Sequence, residues 1–100
     1  NGLVMADELT EDGRVHDDYR IDYLRGHIQA ISDAIDDGVE MMGYCPWSVM
    51  DLLSSHQGFR KRYGFIYINR DDFNLKDLGR IKKDSFYWYQ NVIKTNGENL

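Results

Sequence analysis

Cysteine is almost missing from this sequence. The one thiol, Cys45, has no partner for an internal disulfide, which fits a reducing compartment better than a secreted one, so the expected location is cytoplasmic. No apolar stretch approaches the roughly 20 residues that cross a bilayer, and no secretory leader is visible, so no membrane partner is expected. A basic excess is also missing. Twelve Lys and Arg stand against 17 Asp and Glu, a net charge of −5. A general nucleic-acid binder needs a basic face, so nucleic acid is not an expected partner and any anion site must be local. There is no internal repeat, no low-complexity linker, and no initiator methionine ahead of Asn1. His27 and His56 lack a second ligand at metal-binding spacing, and no metal is expected.

What is present describes a globular chain. It has 100 residues, 42% hydrophobic and 13% aromatic, a composition unlike that of disordered segments. The length allows one domain with a small core. Residues 1–16 are polar and read as a loop. Asp17 or Asp18 can cap a helix, and Ile21, Leu24, Ile28, Ile31 and Ile35 recur at three- and four-residue steps along one helical face. Gly38 is placed to stop it. Residues 39–47 are short and mostly apolar, and Pro46 excludes a helix through them, so a buried strand is expected. Tyr63, Phe65 and Tyr67 alternate with Gly64, Ile66 and Ile68, which predicts a second extended segment. The charged stretch 69–83 reads as loop or weak pairing. Asp84 or Ser85 can cap a last helix over 86–94, with Phe86, Tyr89, Val92 and Ile93 as its apolar stripe and Asn96-Gly97 as its end.

Helix followed directly by buried strand is the rhythm of an α/β fold with a parallel sheet. A barrel of repeated strand–helix units contains such an order and carries its chemistry at the C-terminal ends of the strands. Standing free, the 39–47 strand would offer an open edge to other chains, so partner strands upstream are expected. The densest ligand-type chemistry lies in residues 43–68: Trp47, the adjacent Ser54 and Ser55, the triplet Arg60-Lys61-Arg62, and Tyr63. Taken alone, these residues also admit a plainer reading, with Trp47 as a core residue and the triplet as a solvated face.

Four segments, in order, resemble glycoside hydrolase family 1, the β-glucosidase barrel, and within it the 6-phospho-β-glucosidases. Asn1-Gly2 is similar to the end of the family's Glu-Asn-Gly. VHDDYRIDYLRGHIQAISDAIDDGV resembles the helix that follows strand seven. GYCPWSVMD resembles strand eight, and RIKKDSFYWYQNVIKTNG resembles the closing helix. The resemblance implies the C-terminal portion of a (β/α)8 TIM barrel, a single domain over residues 1–100 that is incomplete as a barrel and has the remainder of the barrel upstream. It also implies retaining hydrolysis by two glutamates, a nucleophile and an acid/base about 5–5.5 Å apart. The nucleophile would align immediately before Asn1 and the acid/base further upstream. No catalytic residue is therefore expected within this chain, and carboxylate chemistry of this kind needs no cofactor.

The resemblance leaves substrate binding to these residues. Where unphosphorylated β-glucosidases of the family carry Asn-Phe-Glu-Trp, this chain has Leu52-Leu53-Ser54-Ser55. The family's glutamate holds sugar hydroxyls and would repel a 6-phosphate, whereas Ser54 offers a hydroxyl. Lys61 lies seven residues beyond Ser54 and Tyr63 nine, the spacing of the phosphate site in the 6-phospho relatives. An ammonium with two hydroxyl donors suits a sugar phosphate. Lys61 and Tyr63 are two residues apart, so in an extended segment they share a face. Trp47 matches the tryptophan platform beneath the reacting sugar, followed in the family by a cis peptide that would be Trp47–Ser48. Ser55 matches a position that separates gluco from galacto substrates. The expected partner is a 6-phosphorylated β-glucoside. The alternative is a non-catalytic binding or assembly domain derived from the same fold.

Overall fold

A computed structural model describes residues 2–54, 56 and 58–100. Four elements follow in order: α1 (Asp18–Asp36), β1 (Ile66–Ile68), β2 (Arg80–Lys82) and α2 (Asp84–Lys94). Both helices fall where the apolar periodicity places them, and both end as their sequences imply. Gly38 takes φ +98°. Its N–H bonds the Ile35 carbonyl at 3.0 Å and that of Val39 bonds Ala34 at 3.0 Å, the paired closure of a Schellman motif. At the end of α2, Asn96 (φ +53°) does the same, with Asn96 N–H on Ile93 and Gly97 N–H on Val92. Only the first half of α1 is deeply covered, at Arg20, Ile21 and Leu24.

The charged stretch 69–83 does pair. β2 runs antiparallel to β1 in the register Ile66↔Lys82, Tyr67↔Ile81, Ile68↔Arg80. Parallel pairing occurs as a short ladder between residues 48–51 and 63–66, where Phe65 N–H bonds Ser48 O (3.1 Å), Ile66 N–H bonds Val49 O (3.1 Å) and Asp51 N–H bonds Ile66 O (2.9 Å). The backbones press together at Gly64, where an added Cβ would collide with the main chain of Met50 and Asp51. The buried strand expected over 39–47 does not form. Val39, Met41, Met42 and Trp47 are exposed, and the segment's one sheet partner among the described residues is Gly2, bridged to Trp47. Apolar composition marks a segment that favours cover, but a strand also needs a backbone on each side, and one bridge does not supply it.

Among the described residues, buried polar and charged side chains slightly outnumber buried apolar ones. Val15, Ile21, Leu24, Phe65, Tyr67, Ile68 and Val92 form the apolar part, against Asp17, Arg20, Ser48, Asp51, Ser54, Arg62, Lys83 and Ser85. Phe65 stacks on Tyr89 with ring centres 5.0 Å apart, which joins the sheet to α2. The polar part is an ion network. Lys83 Nζ lies 2.5 Å from Asp7 Oδ2 and 2.7 Å from Asp51 Oδ1. Arg20 Nη1 reaches Asp17 at 2.6 Å and Asp7 at 3.3 Å, and Arg62 Nη1 reaches Asp51 at 3.0 Å. All six of these side chains are at most 6% exposed. Burial is the largest influence on Arg20 and works against its charge, but Asp7, Tyr19 and Asp17 together outweigh it and hold the guanidinium above its ordinary pKa.

Capping is the second departure from expectation. Asp17 precedes α1 but makes no side-chain bond to that helix's own N-terminus. Its carboxylate instead takes the Ser85 N–H at 2.9 Å and the Ser85 hydroxyl at 2.5 Å. It thus caps the first turn of α2, whose N-cap residue is Lys83 rather than Asp84 or Ser85. Asp84 turns outward and binds Arg14 (2.8 Å) and His16 (2.6 Å). Burial by itself would raise the Asp84 carboxyl, but the bonds from Arg14 and His16 win and hold it below the usual carboxylate range. The Asp84 hydrogen bond in turn raises the His16 imidazole.

Two outcomes follow. Lys83→Met removes the cation shared by two buried carboxylates and is expected to destabilise the fold by about 3–5 kcal/mol, read as a lowered denaturant midpoint. The His16–Asp84 pair adds stability that is full below about pH 6.5 and is lost as pH rises through the raised His16 value. The unfolding midpoint should therefore fall across that interval, and this part of the fall should be missing in His16→Ala.

Candidate functional site

Three of the five site residues read from the sequence are joined in the structure. The Tyr63 hydroxyl donates to Ser54 Oγ at 3.1 Å, and Ser54 Oγ also accepts the His56 N–H at 3.2 Å. Ser54 is buried, and its backbone forms a two-bond bridge with Gly58 (3.0 and 3.1 Å) that closes the loop 54–58. Trp47 joins through its neighbour, because Ser48 N–H donates to the Tyr63 carbonyl at 3.3 Å. The Trp47–Ser48 peptide is cis. Trp47 is 54% exposed. Gly2 packs against it so closely that a Cβ there would stand 3.1 Å from the Trp47 Cβ and carbonyl oxygen.

Lys61 stands differently. It is half-buried and, among the described residues, makes neither a hydrogen bond nor an ion pair. Its neighbour Arg62 is buried and fully engaged, donating to Asp51, to the Ile68 carbonyl (2.7 Å) and to the Arg70 carbonyl (2.5 Å). Its guanidinium also lies 4.2 Å from the centre of the Tyr67 ring. The basic triplet thus divides by position. Arg62 faces the interior, Lys61 and Tyr63 on either side of it are half-buried, and Arg60 is exposed; residues 59–61 form a turn and bend rather than the extended segment that would set Lys61 and Tyr63 on one face. Ser55 lies outside the described residues.

An open concavity lies elsewhere. A groove of about 530 Å³ between α1 and α2 is lined by Ile28, Ile31, Ile35, Tyr44, Tyr89 and Ile93, among others. Its lining is mainly apolar, with little to orient a sugar. Burial pushes the Tyr44 hydroxyl up to about 12, so it stays protonated. Among the described residues no group of three His, Cys, Asp or Glu side chains is placed to hold a metal ion. No helix among them is long and apolar enough to cross a membrane.

Asp7, Asp51 and Lys83 shape the site and were not found by reading the sequence, which gave Asp7 no role. The available signal was Asp51 set inside the apolar run Val49-Met50-Asp51-Leu52-Leu53. An acid in that context is buried with a partner or not buried at all. Its carboxylate takes the N–H groups of Gly64 (3.1 Å) and Ile68 (3.3 Å) as well as Arg62 and Lys83. It therefore fixes both ends of the segment that carries Tyr63.

The chain belongs to glycosyl hydrolase family 1, whose model matches residues 1–98. It is 61% identical over 100 residues to the aryl-phospho-β-D-glucosidase BglC of Bacillus subtilis (strain 168). It is 50% identical over 101 residues to the 6-phospho-β-glucosidase AscB of Escherichia coli (strain K12). Each alignment covers 100% of this chain and 21% of the relative, so the chain spans about a fifth of the length of these proteins. The family 1 β-glucosidase from Thermotoga maritima superimposes with a TM-score of 0.87 at 45% identity, over 97% of this chain and 21% of that one. The fold is part of that family's barrel.

Proposed function

We propose that the chain is the C-terminal strand–helix portion of a family 1 barrel. In this reading it supplies the wall that holds the 6-phosphate and the sugar ring during retaining hydrolysis of 6-phosphorylated β-glucosides. The observation that carries the reading is the Tyr63–Ser54 hydrogen bond with Lys61, otherwise unpaired, two residues away. Two hydroxyls and a mobile ammonium match the acceptor oxygens and charge of a phosphate monoester. Where unphosphorylated-sugar enzymes of the family are expected to place a glutamate, Ser54 presents no negative charge. The named relatives, an aryl-phospho-β-D-glucosidase and a 6-phospho-β-glucosidase, agree with that chemistry. Trp47 supplies the apolar platform, and Ser55 beside Ser54 is the position assigned to the choice at O4. The reducing compartment that suits Cys45 is the cytoplasm.

The chemical step in this reading belongs to glutamates elsewhere in the barrel. The acids gathered within this chain, Asp7, Asp17 and Asp51, are buried and bound by Arg20, Arg62 and Lys83. A carboxylate so engaged cannot attack an anomeric carbon or pass a proton to a leaving oxygen.

The hundred residues alone should give no turnover of an aryl 6-phospho-β-glucoside, and release of the aryl group by the purified segment would overturn this assignment. In the full-length enzyme, Lys61→Ala should lower kcat/KM for the phosphorylated glucoside at least about tenfold, the scale of one charge-assisted bond. The unphosphorylated glucoside should be nearly unaffected, and an equal loss on both substrates would sink the phosphate assignment.

A further inference from the structure

The loop that carries the phosphate-site residues is held from outside by the β1–β2 hairpin. The Phe59 N–H donates to Asp72 Oδ1 at 2.6 Å. The Arg70 guanidinium lies 4.0 Å from the centre of the Phe59 ring. The Arg70 carbonyl accepts Arg62 Nη2 at 2.5 Å. Gly58 has φ +62°, and a Cβ there would run into the Asp72 carboxylate. The hairpin tip is itself cornered. Asp71 Oδ1 takes the N–H groups of Phe73 (3.0 Å) and Asn74 (2.7 Å), while Asp77 Oδ1 takes Gly79 N–H (2.9 Å) and Asn69 Nδ2 (2.7 Å). Arg70 Nε adds a bond to the Asp71 carbonyl at 3.0 Å.

We propose that Asp72 and Arg70 are positioning residues for the phosphate grip. They fix residues 58–62 and so set where Lys61 stands relative to Ser54 and Tyr63. The path is continuous. Ser54 is tied to Gly58 by two backbone bonds, and Phe59 is held by Asp72 and Arg70. Arg62 is held by the Arg70 carbonyl, and Lys61 sits between the two fixed residues 59 and 62 with Tyr63 just beyond. A long, flexible side chain such as lysine gains most from an anion when its backbone is fixed at the right distance, because less freedom is then lost on binding. The hairpin touches the ligand nowhere in this scheme, so its effect is on selectivity. This inference rests on the phosphate reading of Ser54, Lys61 and Tyr63.

The test uses the full-length enzyme with p-nitrophenyl 6-phospho-β-D-glucoside and p-nitrophenyl β-D-glucoside. Asp72→Ala should raise KM for the phosphorylated substrate about tenfold, the equivalent of one lost hydrogen bond to a charged group. The effect on kcat should be smaller, and the ratio of kcat/KM for the two substrates should fall. Asp72→Asn keeps an acceptor oxygen and should restore the ratio. A residue that served only stability would lower both substrates together. A ratio unchanged in Asp72→Ala while Lys61→Ala lowers it overturns the brace and leaves the phosphate reading standing. A ratio unchanged in Lys61→Ala removes that reading, and the brace falls with it. If Asp72→Ala does not fold, Arg70→Met carries the test: it clears the guanidinium from Phe59 and keeps the carbonyl. It should lower the ratio in the same direction, and an unchanged ratio would overturn the proposal.

Discussion

Lys83 holds the structure together. Its ammonium is fully buried between the carboxylates of Asp7 and Asp51, which reach it from 76 and 32 residues away along the chain. An uncompensated buried charge is among the most costly features a fold can contain. Three carboxylates therefore face three cations, and each ion is satisfied by more than one partner. Such a network adds little net stability over well-packed apolar residues. It does define one arrangement of segments far apart in sequence, because a displaced ion pair cannot re-form elsewhere as a displaced methyl contact can. With only a few buried apolar residues, this chain relies on that specificity.

The candidate site inherits its geometry from the network. Asp51 is the junction, accepting from Lys83 and Arg62 and from the backbone on both sides of the Phe65–Tyr67 stretch. Arg62 is locked inward, and the residues flanking it, Lys61 and Tyr63, are half-buried. Tyr63 in turn meets Ser54, and its carbonyl holds Ser48 behind Trp47. A structural ion pair and, on the proposed reading, a ligand-binding ammonium thus occupy adjacent positions in one basic triplet.

Local features were legible in the sequence, and long-range ones were not. Both helices announced themselves through apolar steps, and Gly38 and Asn96 through their ease in the left-handed region. The spacing of Ser54, Lys61 and Tyr63 drew notice only through its resemblance to the phosphate site of the 6-phospho relatives. Asp17 looked like a cap for α1, and a cap it is. Sequence gives a carboxylate's location but not which helix end lies within its reach, and it serves α2. Asp7 is one of several acids in a polar loop, and nothing nearby distinguishes it from Glu8 or Asp12. Its partner Lys83 lies almost at the other end of the chain. Residues 39–47 failed for a related reason, since hydropathy reports a preference for cover and leaves open which backbone provides it.

The same exposed segment bears on how the chain should be viewed physically. Its radius of gyration is 14.9 Å, with extents of 49 × 29 × 18 Å, against roughly 13 Å for a compact domain of this length. The shape is a slab. Val39, Met41, Met42, Trp47 and Val49 are exposed, and Pro46, Val49, Phe65, Phe86 and Tyr89 line an apolar hollow of about 380 Å³. A slab with an apolar margin, one parallel ladder and a charged interior has the properties of a wall section. Its own ions set its internal geometry, while its apolar margin gains stability only from neighbouring strands and helices. On the proposed reading, that division of labour suits the phosphate grip. The grip is built where the chain is self-sufficient, among Asp51, Arg62 and the hairpin, and the sugar platform at Trp47 sits on the margin, where the rest of a barrel would close over it.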